Sequence, residues 1–406
     1  MGLRNSYFAF NAALGSLYAD DLLRLAGDDT DKPDFDDSAF FEAAELIYHD
    51  GAFDVSQLNT PEGRRLVAET LRQIKKGIDS GIPHEVPETV RYALENNAFV
   101  FSGFKAYHSL REVGLSLVTD QGDIKPFDTF RADVEKINNR YNHNYLYAEY
   151  NHAIGSSLMA SRWQRIEADG DRYDLQYRTA EDDRVREDHA ILHGTTLPPS
   201  DPFWSLYLPP NGWNCRCTAV QVRKGKYPRT DPDLAMLRGN NCTDNAKQQI
   251  FRYNPGKDLQ LFPPKHPYYK APEEAKKEVF HITRRNAQNN AKSVICEAQN
   301  LETGTLWQTR KAMQRAYGHA FSLEELRMYD LVLINLNKLE HIRFSHLGEG
   351  KNLNDEKDLK NINKKKDRGV TGYNIYSFLH NNEIWEVKTE IYKNSNEAIY
   401  HIRKKK

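Results

Sequence analysis

Arg184-Val-Arg-Glu-Asp-His189, Leu192-His193-Gly194, Asp201-Pro-Phe-Trp204 and Pro209-Pro-Asn-Gly-Trp-Asn-Cys-Arg-Cys217 follow one another along residues 184–217. From Leu197 to Pro232 the chain is so dense in Pro, Gly, Trp and Asn that no regular element can run far through it. The expectation is a structured loop or a short-stranded knot. Its chemistry lies in Cys215 and Cys217, with His189 and His193 upstream. These are the ligand types of a tetrahedral zinc site, although the spacing matches no standard zinc finger. His189 and His193, four residues apart, can also simply share a helix face. The favoured reading is structural: small buried cysteines pack under Trp204 and Trp213. Arg184, Arg186 and Arg216 then bind Asp183, Asp188 or backbone carbonyls. Zinc on Cys215, Cys217, His189 and His193 is the alternative. A catalytic Cys–His pair has only the flanking arginines in its favour.

Toward the N-terminus, Tyr173, Leu175 and Tyr177 alternate as a short strand. Residues 128–168 read as one or two long helices, and residues 1–130 as mostly helical. Asn59-Thr60-Pro61 supplies an N-cap and a proline at a helix start, and Leu66, Val67, Leu71, Ile74 and Ile78 follow on one face. Gly81 and Pro83 stop that helix.

Toward the C-terminus, Pro255, Pro263, Pro264, Pro267 and Pro272 suggest an extended connector. Past Ser293 the pattern changes to helices running to about Lys338, with a capping box at Ser322–Glu325. Residues 345–372 are polar and turn-rich. Strands follow at 373–380, 383–393 and 398–403, with Asn381-Asn382 and Asn394–Asn396 as turns. The expected fold class is α+β. Residues 1–130 form a helical region, 131–250 a helical domain with an irregular strand-loop knot, and 251–290 a connector. Residues 291–406 form a small α+β domain on an antiparallel sheet of three or more strands.

With 406 residues the chain exceeds one ordinary core. No run approaches the ~20 apolar residues needed to span a bilayer, so no membrane partner is expected. Four cysteines make no disulfide framework, and Cys242 and Cys296 look isolated. Residues 1–60 hold 12 acids against 3 bases, whereas residues 351–406 hold 13 bases against 8 acids. The two ends therefore face different partners, or one of them is merely a solvated surface.

The ordered string from Arg184 to Cys217 resembles the signature of the Mu F-like minor head proteins of tailed phages. In that family an Arg-x-x-His…Gly run precedes a Pro-Pro-Asn-Gly…Cys-Arg-Cys run. Here the matching positions are Arg184, His189, Gly194, Pro210, Asn211, Gly212, Cys215 and Cys217. The close likeness spans about forty residues, with a looser fit from Tyr141 to Lys224. It implies a few-copy protein of the head or its connector, acting in head assembly or DNA packaging. The implied partners are portal and head proteins, in the virion and the host cytoplasm.

Mu F-like segments are joined to variable C-terminal toxin domains in temperate phages, and this chain is similar in layout. Residues 320–406 resemble, more loosely and without a diagnostic motif, the barnase–EndoU–RelE-like phage nucleases. That likeness implies metal-independent RNA cleavage, with RNA or packaged DNA as ligand and an immunity protein as a further partner. By alternation, Trp385, Val387, Thr389 and Ile391 form the core face of the middle strand. If the apolar faces of the last two strands coincide, Lys388 and His401 lie on one exposed sheet surface. Cleavage needs a base, an acid and cations around the phosphorus. The candidates are His401, Lys388, His346, Arg343 and Arg368. His341 and His380 are weaker choices, and Tyr373 or Tyr400 serves either as core or as general acid. Two alternatives stay open. One is a structural head protein whose basic tail binds DNA or a neighbouring subunit. The other is a toxin of another class, such as an ADP-ribosyltransferase.

Overall fold

The computed structural model describes residues 2–22, 33–82, 86–291, 299–301, 303–306 and 309–405. Cys296 lies outside the described residues. Helices and two sheets together give an α+β fold. The chain divides into two compact units, Met1–Val86 with Asn97–Val279 and Pro87–Asn96 with Phe280–Lys406.

The first unit is mostly helical, with α1 (Gly2–Leu22), α2 (Asp37–Asp50), α3 (Pro61–Gly81), α4 (Glu88–Ser116), α5 (Phe127–Asn138) and α6 (Leu146–Asp169). The first turns of α4 belong to the second unit. Thr60 caps α3, its hydroxyl accepting from Gly63 N at 3.2 Å, with Pro61 at the first helical position. Glycine then lets α3 approach α6 closely. A Cβ at Gly77 would meet Tyr150 O at 2.8 Å, and one at Gly81 would lie 2.3 Å from Ile154 O. A π-helical turn, Asn139–Tyr145, joins α5 to α6 and buries Tyr141 and Tyr145. Lys105 of α4 and Glu149 of α6 form an ion pair with side chains 1% and 0% exposed.

A three-stranded antiparallel sheet lies beyond α6, with β1 (Tyr173–Arg178) between β2 (Thr196–Leu197) and β3 (Thr218–Arg223). Short helices α7 (Glu187–Ala190) and α8 (Phe203–Tyr207) sit in the connections, and α9 (Pro232–Cys242), α10 (Ala246–Gln249) and α11 (Pro255–Asp258) follow β3. The proline-rich stretch is not the connector the sequence suggests. Leu259, Leu261, Phe262, His266 and Tyr268 are buried in the first unit. Phe262 stacks on Phe101 with centroids 3.7 Å apart, and Leu261 N donates to Asn97 Oδ1 at 2.8 Å. The apolar residues between the prolines outweigh the prolines' preference for extended, solvated chain. The division between units falls instead inside α12 (Glu273–Asn290).

In the second unit, α13 (Arg310–Gly318), α14 (Leu323–Ile334) and α15 (Glu356–Asp367) accompany a sheet of β4 (Gln299–Asn300), β5 (Thr305–Leu306), β6 (Glu340–His346), β7 (Val370–His380), β8 (Glu383–Tyr392) and β9 (Asn396–Lys404). Strand order is β4-β5-β9-β8-β7-β6. Only the β5–β9 pairing is parallel among these. The three-strand meander of the sequence reading is the β7–β8–β9 core of this larger sheet. Asn381 and Asn382, at φ 49° and 64°, make the β7–β8 turn in the left-handed region expected of them. Trp385, Val387 and Thr389 of β8 are buried.

Candidate functional site

β1 positions the knot in the first unit. Leu175 and Tyr177 enter a buried cluster with Leu192, Trp204, Tyr207, Cys217 and Cys242. Trp213 is buried elsewhere, stacked on Tyr18 with centroids 4.9 Å apart and edge-on to His152 and Phe251. Cys217 therefore shares a core with Trp204 but not with Trp213.

The Cys-x-Cys turn faces His189 of α7. Cys215 Sγ lies 3.5 Å and Cys217 Sγ 3.7 Å from His189 Nδ1. His193 is not part of this group. Past the end of α7 it sits partly exposed, with Nδ1 3.0 Å from Thr179 Oγ1 and Nε2 3.6 Å from Glu181 Oε1. α7 is a single turn, too short to present positions four apart on one face. The thiols are unequal. Cys217 shares a hydrogen bond with Cys215 and is buried, and both effects push its thiol up. The same hydrogen bond, with His189 beside it, holds Cys215 down.

Arginines brace the turn, though not all as expected. Arg216 forms a two-pronged pair with Asp182, at 2.5 and 2.6 Å, rather than with Asp183 or Asp188. Arg186 Nη2 donates to Trp213 O at 2.7 Å, the backbone contact anticipated. A Cβ at Gly212 would lie 2.6 Å from Arg186 Nη1, so this position leaves room for the guanidinium. Arg184 donates its backbone N to Asp182 Oδ1 at 3.2 Å. Asn211 is buried and accepts from Tyr177 OH at 2.8 Å, and the Pro209–Pro210 bond is cis. Gly194 has φ 77°, the left-handed conformation a glycine adopts without strain.

The second unit gathers cations and tyrosines on one sheet face. Arg343, Ile375, Lys388 and His401 are successive register partners across β6, β7, β8 and β9. The register slips between Lys388 and Thr389, which pair with His401 and Ile399. Tyr400 is the extra residue, so simple alternation along β9 fails there. Tyr400 and His401 both reach the Lys388 side. Lys388 Nζ sits 4.1 Å from the Tyr373 ring centre, and Lys365 of α15 donates to Tyr373 OH at 2.6 Å and Tyr400 OH at 3.2 Å. His319 packs on Tyr400 with centroids 4.4 Å apart. Burial first, then Lys388, Arg403, His319 and Lys365, push His401 down to about 4. Burial and Lys365 likewise lower Lys388.

Of the other predicted residues, Arg343 shares the Lys388 row and Arg368 reaches Glu390, the register partner of Tyr373, whereas His346 and His341 lie apart. Arg343 is exposed and 3.4 Å from Glu349, and Arg368 pairs with buried Glu390 at 2.8 Å. His346 pairs with Gly372, of opposite parity to the Lys388 row, and its ring meets Phe344 edge-on. His341 Nε2 lies 3.2 Å from Asn374 Oδ1, which belongs to a separate polar network. At its centre buried Glu397 accepts from Tyr376, Asn374, Thr303 and Thr389. Sequence reading places Lys365 only with Lys364 and Lys366 as lysines that neutralise phosphate in the structural-tail alternative, and misses His319 and Asp182. Lys365 stands in a three-lysine run that looks wholly solvated, and only Ile362 three residues earlier marks an inward face of α15.

Residues 126–220 match the family described as Phage Mu protein F like protein. The chain is 39% identical over 69 residues to the "Putative capsid assembly protein F" of Escherichia phage Mu, covering 17% of this chain and 16% of that protein. It is 37% identical over 68 residues to the Mu-like prophage FluMu F protein of Haemophilus influenzae (strain ATCC 51907 / DSM 11121 / KW20 / Rd), covering 15% and 16%. The chain thus spans about one sixth of the length of the curated relatives it matches. No solved structure matches. The matched segment contains α5, α6, β1 and the His189–Cys215–Cys217 turn. Over residues 126–220 the chain is similar to the Mu F-like family.

Proposed function

We propose that this chain is a minor head protein of a tailed phage, acting in head assembly through its Mu F-like domain. The match over residues 126–220 carries the reading, together with a relative, 39% identical over 69 residues, whose description is "Putative capsid assembly protein F". The partners are then other head proteins, the portal among them, and the setting is the virion and the host cytoplasm. No helix among the described residues is long and apolar enough to cross a membrane. The test is to purify particles of the encoding phage or prophage on a density gradient. The chain should sediment with heads at a few copies each, and its absence from them would end the reading.

The second unit, on this proposal, is a nuclease cargo. The supporting observation is the pairing of Lys388 with His401 beside Lys365, Tyr373 and Tyr400. His401, its ring held down to about 4, is neutral near pH 7 and takes the proton of an RNA 2′-hydroxyl as a weaker base than an ordinary imidazole. Lys388 and Lys365 answer the charge developing on phosphorus. Tyr373 and Tyr400 are the proton donors within reach, and their rings can also stack on a base. A toxic activity of this kind requires an immunity protein in the producing cell. The full chain should cleave RNA in EDTA. Binding of duplex DNA without cleavage would favour the structural-tail reading instead.

A further inference from the structure

We propose that His189, Cys215 and Cys217 hold a zinc ion. Nδ1 and the two sulfurs lie within 4.8 Å of one another, the one such group among the described residues. Their spacing is what a metal would set. With Zn–S of about 2.3 Å and Zn–N of about 2.0–2.1 Å, a tetrahedral S–Zn–N angle places sulfur and nitrogen about 3.5–3.6 Å apart. The distances here are 3.5 and 3.7 Å.

Hydrogen bonding alone explains this less well. Nδ1 offers one lone pair or one proton, yet both sulfurs converge on it. A dication between two thiolates and a neutral imidazole is uncharged overall, which suits a buried site.

The surroundings fix the ligands in advance. Arg216, between the cysteines, is tied to Asp182, and Arg186 holds the Trp213 carbonyl. Asn214, at φ 54°, accepts from Asn151 Nδ2 at 2.9 Å. Ligands preset in this way lose little freedom on binding. No fourth His, Cys, Asp or Glu atom joins the group among the described residues, so the fourth position goes to a water. The sequence reading preferred plain packing for these cysteines and offered His193 as a ligand. The geometry favours the metal and omits His193. The inference does not depend on the head-assembly reading.

The test uses the full chain, tag-free, produced with zinc and purified under reducing conditions. Plasma mass spectrometry should find about one zinc per chain. Mercurial titration of the parent should release that zinc as two thiols react, and this holds even if variants fold poorly. Cys215→Ser with Cys217→Ser should abolish binding, and His189→Ala should lower it at least tenfold. His193→Ala and Cys242→Ser should keep it. Cobalt in place of zinc should give a thiolate charge-transfer band that the double cysteine variant lacks. A folded parent without zinc, zinc retained by the double variant, or a Cys215–Cys217 disulfide in the reduced preparation would each overturn the proposal.

Discussion

Lys388 of β8 and His401 of β9 are direct register partners, and the bulge beside them brings Tyr400 to the same face. Lys365 enters from α15 to meet Tyr373 and Tyr400 there. The face therefore sets the His401 imidazole beside Lys388 and Lys365, with Glu390 on the same face paired to Arg368.

His401→Ala in the full chain should abolish RNA cleavage in EDTA while leaving the circular dichroism spectrum and melting curve close to the parent's. Trp385, 1% exposed on the opposite face, is the contrasting position. Trp385→Ala should destabilise the second unit by about 3–5 kcal/mol. A parent inert toward RNA removes the nuclease reading. An active His401→Ala variant keeps the class of activity but removes this site.

Acid should destabilise the first unit over a defined window. Burial lowers His108 to about 3 and His152 to about 4, from the ordinary 6.5. As pH falls below 6.5 the unfolded chain takes up protons that the folded chain refuses. Stability is thus fully present above pH 6.5 and declines as pH falls toward 3–4. Urea unfolding at stepped pH, read by tryptophan fluorescence, checks this. A flat midpoint across the window contradicts it.

The buried Lys105–Glu149 pair should be intolerant of half-removal. Burial raises the carboxyl of Glu149 and lowers the ammonium of Lys105, and Tyr18 OH adds a 2.9 Å hydrogen bond to Glu149. Lys105→Met leaves a buried carboxylate without its cation, at a cost of about 3–5 kcal/mol. Lys105→Met with Glu149→Leu should recover most of that loss. Equilibrium unfolding of the two variants separates charge from packing.

How legible each element was depended on how local its signal is. Thr60-Pro61 and Asn381-Asn382 carry their own turn chemistry, and both fell where expected. The alternation of Trp385, Val387 and Thr389 gave the core face of β8 for the same reason, although Ile391, expected with them, is only half-buried. β6 was missed because Ile342 and Phe344 are left exposed, 47% and 46%, at a sheet edge. α15 buries only Ile362, so its period was hidden, although Asp355 caps it through Asp358 N at 2.9 Å. At the candidate metal site the residue types were legible, but choosing His189 over His193 needed the end of α7. That Lys388 and His401 share a face was legible by parity, whereas their direct pairing, the partial burial of His401, the bulge and the contacts of Lys365 were not.

Burial of the proline-rich stretch changes where proteases should act. Gly256 lies against Trp163, where a Cβ would come within 2.2 Å of Trp163 Cβ, and Tyr268 O is 3.0 Å from His108 Nε2. Limited trypsin digestion should therefore spare Lys257 and Lys265 while the first unit is folded. Early cleavage at either lysine would show that the stretch is a free connector after all.

Head assembly through residues 126–220 is tested most directly by deleting the gene from its phage or prophage and counting DNA-filled heads by electron microscopy after induction. The count should fall at least tenfold. Supplying the parent chain or His401→Ala should restore it, and Trp213→Ala, which empties the packing beside Tyr18 and His152, should not. An unchanged number of filled heads after deletion would contradict the account.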